Sequence, residues 1–242
     1  MKRALIVHGW LHSYEVYTRL IRDLRDLEYM PTVFTMHGLD DFDVVYPNER
    51  LIDYYSNQIK HMVNFEEYDL VIAHSMGAAI VLNAIERGMR DCKVIFIAPF
   101  VRGTLTQRLF MPVKLTTSVL SAIDRLPNKL KAYTIKFVSK PTIGKREYYQ
   151  QIEKAIDKCN PRMAGRLLKE LLWNNIPYVT TFRKIYMIEC KKDKLMSTTQ
   201  KLKLIEHLGD SLVKYDIIDT GHSPMLTNYD EFFNKIKEII SL

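Results

Sequence analysis

The sequence predicts an α/β chain: a mostly parallel, doubly wound sheet carrying a helical insertion. Three observations predict it. Short apolar blocks without polar alternation recur along the chain, as strands buried on both faces require. Helical periodicities separate these blocks, and that alternation implies crossover connections in a parallel sheet. Between about Val101 and Thr180 the alternation stops, and only helical patterns remain.

Taken in order, Ala4-Leu5-Ile6-Val7 is the first strand block. Tyr14, Tyr17, Leu20, Ile21, Leu24 and Leu27 then form an apolar stripe at helical spacing. Thr32-Val33-Phe34-Thr35 is a weaker strand, and Ile52, Tyr55, Ile59 and Met62 make a second stripe. Leu70-Val71-Ile72-Ala73 is a strong strand, Ala78 to Ile85 a helix, and Val94-Ile95-Phe96-Ile97-Ala98 a strand. Within the insertion, Leu115, Val119, Leu120 and Ile123 share one face, and Leu167, Leu168, Leu171 and Leu172 another. Pro112, Pro127, Pro141, Pro161 and Pro177 divide it into short helices. Ile185-Tyr186-Met187-Ile188 resumes the strands, Val213 to Ile218 is a weaker one, and Phe232, Phe233, Ile236, Ile239 and Ile240 define a closing helix. The expected organisation is one core built from residues 1–100 and 181–242, with residues 101–180 inserted over the sheet.

Composition bounds the function. With 242 residues, 47% of them hydrophobic, the chain can bury a core without disulfides or metals. Its longest apolar stretch, Val94 to Val101, falls short of the roughly 20 residues that span a bilayer. The apolar run after Met1-Lys2-Arg3 ends at Val7, too short for a signal peptide. A cytoplasmic protein without a transmembrane segment is expected. Cys92, Cys159 and Cys190 have no paired spacing, which argues against zinc or a disulfide framework. No glycine-rich phosphate loop precedes a helix, and His37-Gly38-Leu39-Asp40-Asp41-Phe42-Asp43 lacks the spacing of a calcium loop. It reads as a solvated loop near the site. No cofactor or metal is expected.

The chemistry concentrates in Ala73-His74-Ser75-Met76-Gly77. A buried strand runs through a serine straight into a helix of small residues. A serine nucleophile needs such a turn, because a strained strand-to-helix backbone exposes its hydroxyl. Small residues two positions either side keep neighbouring backbone clear, and Ala73 stands where glycine is usual. The serine needs a base, and the base an acid to fix its tautomer. His222, in Gly221-His222-Ser223-Pro224-Met225, follows the last strand. Asp193 follows the strand before it, with Glu189 and Asp219 as alternative acids. All reach the carboxyl edge of the sheet, and the chain order is nucleophile, acid, base. His8-Gly9-Trp10 follows the first strand at the same edge. An oxyanion needs two preorganised N–H donors; the expected pair is the amides of Trp10 and Met76, with Gly9 allowing close approach. His8, His12 and His74 could suggest a metal, but their positions suit the two turns better.

Together the His8-Gly9-Trp10 opening, the Ala73 to Gly77 elbow and the Gly221 to Met225 ending resemble the α/β-hydrolase superfamily over nearly the whole chain. They are similar to those of small carboxylesterases, lipases and thioesterases, and the two ends look somewhat like the carboxylesterase of biotin synthesis. The resemblance implies a helical cap at 101–180 and a sheet of about six strands, since two opening strands have no room here. Ser75 in place of aspartate excludes the haloalkane dehalogenases. The expected function is cleavage of an ester or thioester through an acyl-enzyme. The alternative is a slow or inactive ligand-binding protein on the same scaffold, which the intact triad disfavours.

Two expectations concern the cap. Leu105, Leu109, Phe110, Met111 and Trp173 offer apolar surface for a short to medium acyl chain. Residues 101–180 hold 15 Lys+Arg and 5 Asp+Glu, a local +10, while the whole chain carries +7. The basic excess would steer an anionic substrate, an anionic membrane face or an acidic carrier protein; lysine and arginine are also good helix formers, so a solvated surface fits too. Nucleic acid is disfavoured, because no basic helix with interleaved aromatics stands out.

Overall fold

A computed structural model describes residues 1–40, 47–104, 107, 154–179, 182 and 184–242. In chain order the elements are β1 (Lys2–Val7), a 3-10 turn (Tyr14–Tyr17), α1 (Thr18–Asp26), β2 (Tyr29–Val33), α2 (Leu51–Glu66), β3 (Leu70–His74), α3 (Met76–Glu86) and β4 (Lys93–Ile97). They continue with α4 (Pro161–Leu172), β5 (Ile185–Cys190), α5 (Thr198–Leu208), β6 (Leu212–Ile218), the single-turn α6 (Pro224–Thr227) and α7 (Tyr229–Ser241). The six strands form one sheet in the order β2-β1-β3-β4-β5-β6, and every pairing is parallel.

Burial on both faces explains the unbroken apolar blocks. Leu5, Val7, Val71, Ala73, Val94 and Phe96 pack with α2 and α3 on one side. Ala4, Ile6, Leu70, Ile72, Ile95 and Ile97 pack with α1 and α7 on the other. The two weaker strands are the sheet edges. β2 begins three residues earlier and ends two residues earlier than its apolar block suggested, and it carries Pro31, which an edge strand tolerates. β6 alternates in exposure because only one of its faces is covered.

The chain leaves β1 for β2 on one side and returns to β3 on the other. This makes a crevice at the carboxyl ends of β1 and β3, where α/β sheets bind ligands. The register pairs Val7 with Ala73 and His74 with Ile97. His8-Gly9 therefore emerges beside His74-Ser75.

Helix α4 starts at Pro161, with the Asn160 side chain accepting the N–H groups of Arg162 and Met163 at 3.0 and 3.3 Å. Its buried face, Met163, Ala164, Leu167, Leu168 and Leu171, belongs to the same apolar cluster as Leu51, Ile52 and Tyr55 of α2. The Leu115 to Ile123 stripe and most of the expected cap lie outside the described residues. Among the described residues, no helix is long and apolar enough to cross a membrane.

Candidate active site

Ser75 caps α3 at φ 54° and ψ −118°, a left-handed φ that a side-chain-bearing residue adopts only under constraint. The constraint is visible. The Ser75 N–H donates to the Ile97 carbonyl (2.9 Å), extending the ladder, while the Ser75 carbonyl accepts from Ala78 and Phe100 (3.0 and 3.1 Å). A Cβ on Gly77 would lie 2.3 Å from the Val7 carbonyl oxygen, so only glycine lets α3 start this close to β1. A Cβ on Gly9 would lie 3.1 Å from the Ser75 Cβ and 2.9 Å from a His74 ring nitrogen. Both glycines are required by close approach.

The Ser75 hydroxyl meets His222 Nε2 at 2.7 Å, and His222 Nδ1 meets Asp193 Oδ2 at 2.7 Å. An ionised carboxylate only accepts, so Nδ1 carries the proton and Nε2 is free to accept from the serine. Asp193 sits on the loop after β5, its second oxygen accepting the Leu195 N–H at 2.9 Å. Burial pushes its carboxyl pKa up, but the bond and charge of His222 and the Leu195 amide outweigh burial, and the net shift is downward. The alternative acids are occupied elsewhere: Glu189 by Lys201 and Tyr215, Asp219 by Lys192 on the surface.

Trp10 follows β1 and Met76 opens α3 after β3, and among the described residues neither amide donates to a backbone carbonyl outside its own helix or strand. The Trp10 indole donates to the Ala164 carbonyl of α4 at 3.1 Å, tying the turn after β1 to the helix above it.

A second buried network backs His222. His74 Nε2 donates to the His222 carbonyl at 2.8 Å, which leaves His74 Nδ1 to accept from the Tyr17 hydroxyl at 3.1 Å. His12 donates from Nδ1 to that hydroxyl at 3.2 Å and stacks on His74 with centroids 4.8 Å apart. Burial first, then the neighbouring His222, holds His74 neutral with a pKa near 3. Burial lowers His12 likewise. These histidines are structural donors and acceptors. Among the described residues no His, Cys, Asp and Glu cluster could hold a metal.

Sequence reasoning missed Asp40. The described part of its loop is packed rather than solvated: Gly38 and Leu39 are buried, and Asp40 Oδ2 accepts from the Met36 N–H (2.7 Å) and from His8 Nε2 (2.9 Å). Phe34, Met36 and Leu39 as spaced apolar residues were the available signal. Of the expected acyl-pocket residues, Leu105, Leu109, Phe110 and Met111 lie outside the described residues. Trp173 stands at the C-terminal end of α4 and is 56% exposed.

This fold and this crevice define a hydrolase of the α/β class. The chain belongs to the alpha/beta hydrolase family, whose model matches residues 4–235. Comparison with curated proteins finds no match. Among solved structures, the chain is similar to the enol-lactonase from Burkholderia xenovorans LB400, with a TM-score of 0.76 at 9% identity, covering 100% of this chain and 92% of that one. It is similar to MenH from S. aureus, with a TM-score of 0.71, 14% identity and coverage of 99% and 93%. An esterase from Exiguobacterium antarcticum also matches, with a TM-score of 0.71, 14% identity and coverage of 100% and 91%.

Proposed function

We propose that the protein is a serine hydrolase that cleaves a carboxylic ester or thioester through an acyl-enzyme. The observation that carries this reading is the Asp193–His222–Ser75 relay, two 2.7 Å contacts ending on a strained, buried serine. In this reading His222 takes the proton of Ser75 as its oxygen attacks the carbonyl carbon. The oxyanion is received by the amides of Trp10 and Met76, the latter at the positive end of α3. His222 then protonates the leaving alcohol or thiol, and water repeats the sequence to release the acid. An esterase and an enol-lactonase on the same fold are compatible with an ester-cleaving site.

Burst kinetics on a nitrophenyl ester test it. The wild type should release one equivalent of nitrophenol per site before steady state. Ser75→Ala and His222→Ala should each lose on the order of 10⁶-fold in kcat, and the double variant should be scarcely worse, because the two act as a unit. Ser75→Ala retaining more than a few per cent of wild-type turnover would overturn the reading.

A further inference from the structure

His8 is completely buried, yet both of its ring nitrogens face acceptors. Nε2 lies 2.9 Å from the Asp40 carboxylate, and Nδ1 lies 2.9 Å from the Gly9 carbonyl. An acceptor on each side needs a proton on each nitrogen, so the ring is an imidazolium paired with Asp40. Burial opposes that charge, but the charge and hydrogen bond of Asp40 and the Gly9 carbonyl outweigh it, raising the His8 pKa above its usual value. Asp40 is itself anchored, accepting the Met36 N–H in a turn that also bonds Leu39 N–H and Asp40 N–H to the Met36 carbonyl. The turn is held against α4, where the Asn160 N–H donates to the Gly38 carbonyl at 2.8 Å.

The consequence lies in the next peptide. The Gly9 carbonyl and the Trp10 N–H belong to one planar unit, and a trans peptide points them in opposite directions. That carbonyl takes two donors, His8 Nδ1 and the His12 N–H at 3.1 Å. Fixing the carbonyl fixes the aim of the amide. We propose that His8, clamped between Asp40 and the Gly9 carbonyl, is a positioning residue that aims the Trp10 N–H at the oxyanion. This rests on the serine-hydrolase reading of the same crevice. His8 touches no reacting atom; it acts through the peptide.

Two variants separate aim from bulk. An asparagine amide nitrogen reaches the place of Nδ1 and can still donate to the Gly9 carbonyl. A glutamine amide nitrogen reaches the place of Nε2 and can serve only Asp40. On a nitrophenyl ester, His8→Gln should lower kcat about 10- to 100-fold with KM little changed, since an oxyanion donor acts in the transition state. The rate of fluorophosphonate labelling should fall in parallel, because the phosphoryl oxygen occupies the same place. His8→Asn should stay within a few-fold of wild type. A two-bond proton–nitrogen spectrum of the wild type should show a proton on His8 Nδ1, which reads the clamp even if a variant fails to fold.

Labelled wild type with His8→Gln as active as His8→Asn, or an unprotonated Nδ1, would overturn the proposal and leave the serine-hydrolase reading standing. A wild type that fluorophosphonate does not label would overturn both.

Discussion

Adding one methyl group at Gly77 should disable the site from behind. The Cβ of Gly77→Ala would sit 2.3 Å from the Val7 carbonyl oxygen, 2.9 Å from the Val7 carbonyl carbon and 2.9 Å from the His8 carbonyl oxygen. These three nearest atoms are all backbone, so no side-chain rotation relieves the clash. Relief needs the start of α3 to retreat from β1 by about 1 Å, in a core packed as densely as a crystal. Overpacking of this kind costs about 3 kcal/mol or more, which at roughly 2–4 °C per kcal/mol lowers Tm by about 6–12 °C. The displaced backbone also joins Ser75 and Met76 to His8 and Trp10, and a misplacement of about 1 Å costs on the order of 100-fold in rate.

Gly88→Ala is the control. Gly88 has a φ of +85° but nothing within 4 Å of its missing Cβ. Its alanine variant should lose only about 1 kcal/mol of stability to left-handed strain, with turnover unchanged. Thermal melting and nitrophenyl-ester kinetics on both variants decide the matter. A Gly77→Ala protein melting within about 2 °C of wild type at unchanged kcat would refute the steric reasoning behind these figures.

Three further outcomes follow from the same geometry. Asp193→Asn should lower kcat by about 10⁴-fold, through loss of the tautomer in which His222 Nε2 accepts, while Glu189→Gln and Asp219→Asn should leave kcat near wild type; equal effects from all three would remove Asp193 as the acid. His74, folded pKa near 3, stays neutral in a pH range where the unfolded chain takes a proton, near pH 6.5 and below. Stability should therefore fall with acid across that window, by about 1.4 kcal/mol per pH unit for this one group. His74→Gln, which keeps a donor for the His222 carbonyl, should remove about one proton from that slope in denaturant titrations run from pH 6 to 4; an unchanged slope would contradict the assignment. If the +10 of residues 101–180 steers an anionic substrate, kcat/KM on an acidic acyl ester should fall steeply with added salt while a neutral aryl ester barely responds; equally flat profiles would reduce that charge to a solvated surface.

What the sequence made legible follows the physics of burial. Blocks buried on both faces announced β1, β3, β4 and β5, whereas the edges β2 and β6, half covered, read weakly and with shifted bounds. Helix α5 was not anticipated, because only Leu204 and Leu208 of its residues are buried and so no stripe stands out. Its capping box, Ser197 with Gln200, was the usable signal. Tyr14 was read as part of the α1 stripe but is 51% exposed, since the chain there is a 3-10 turn whose three-residue period breaks the register. Ser75, Asp193 and His222 could be placed from chain order along one sheet edge. The contacts behind them could not: His8 with Asp40, and His74 with Tyr17 and with the His222 carbonyl, join residues 32 to 148 positions apart through side chains that carry no local pattern.

The most direct test of the central claim is covalent. Fluorophosphonate should label the wild type to one equivalent, with mass spectrometry placing the adduct on the peptide containing Ser75. Ser75→Ala should take up none, and His222→Ala should react orders of magnitude more slowly, because its serine lacks a base. A wild type that stays unlabelled, or an adduct on any other residue, would contradict the account.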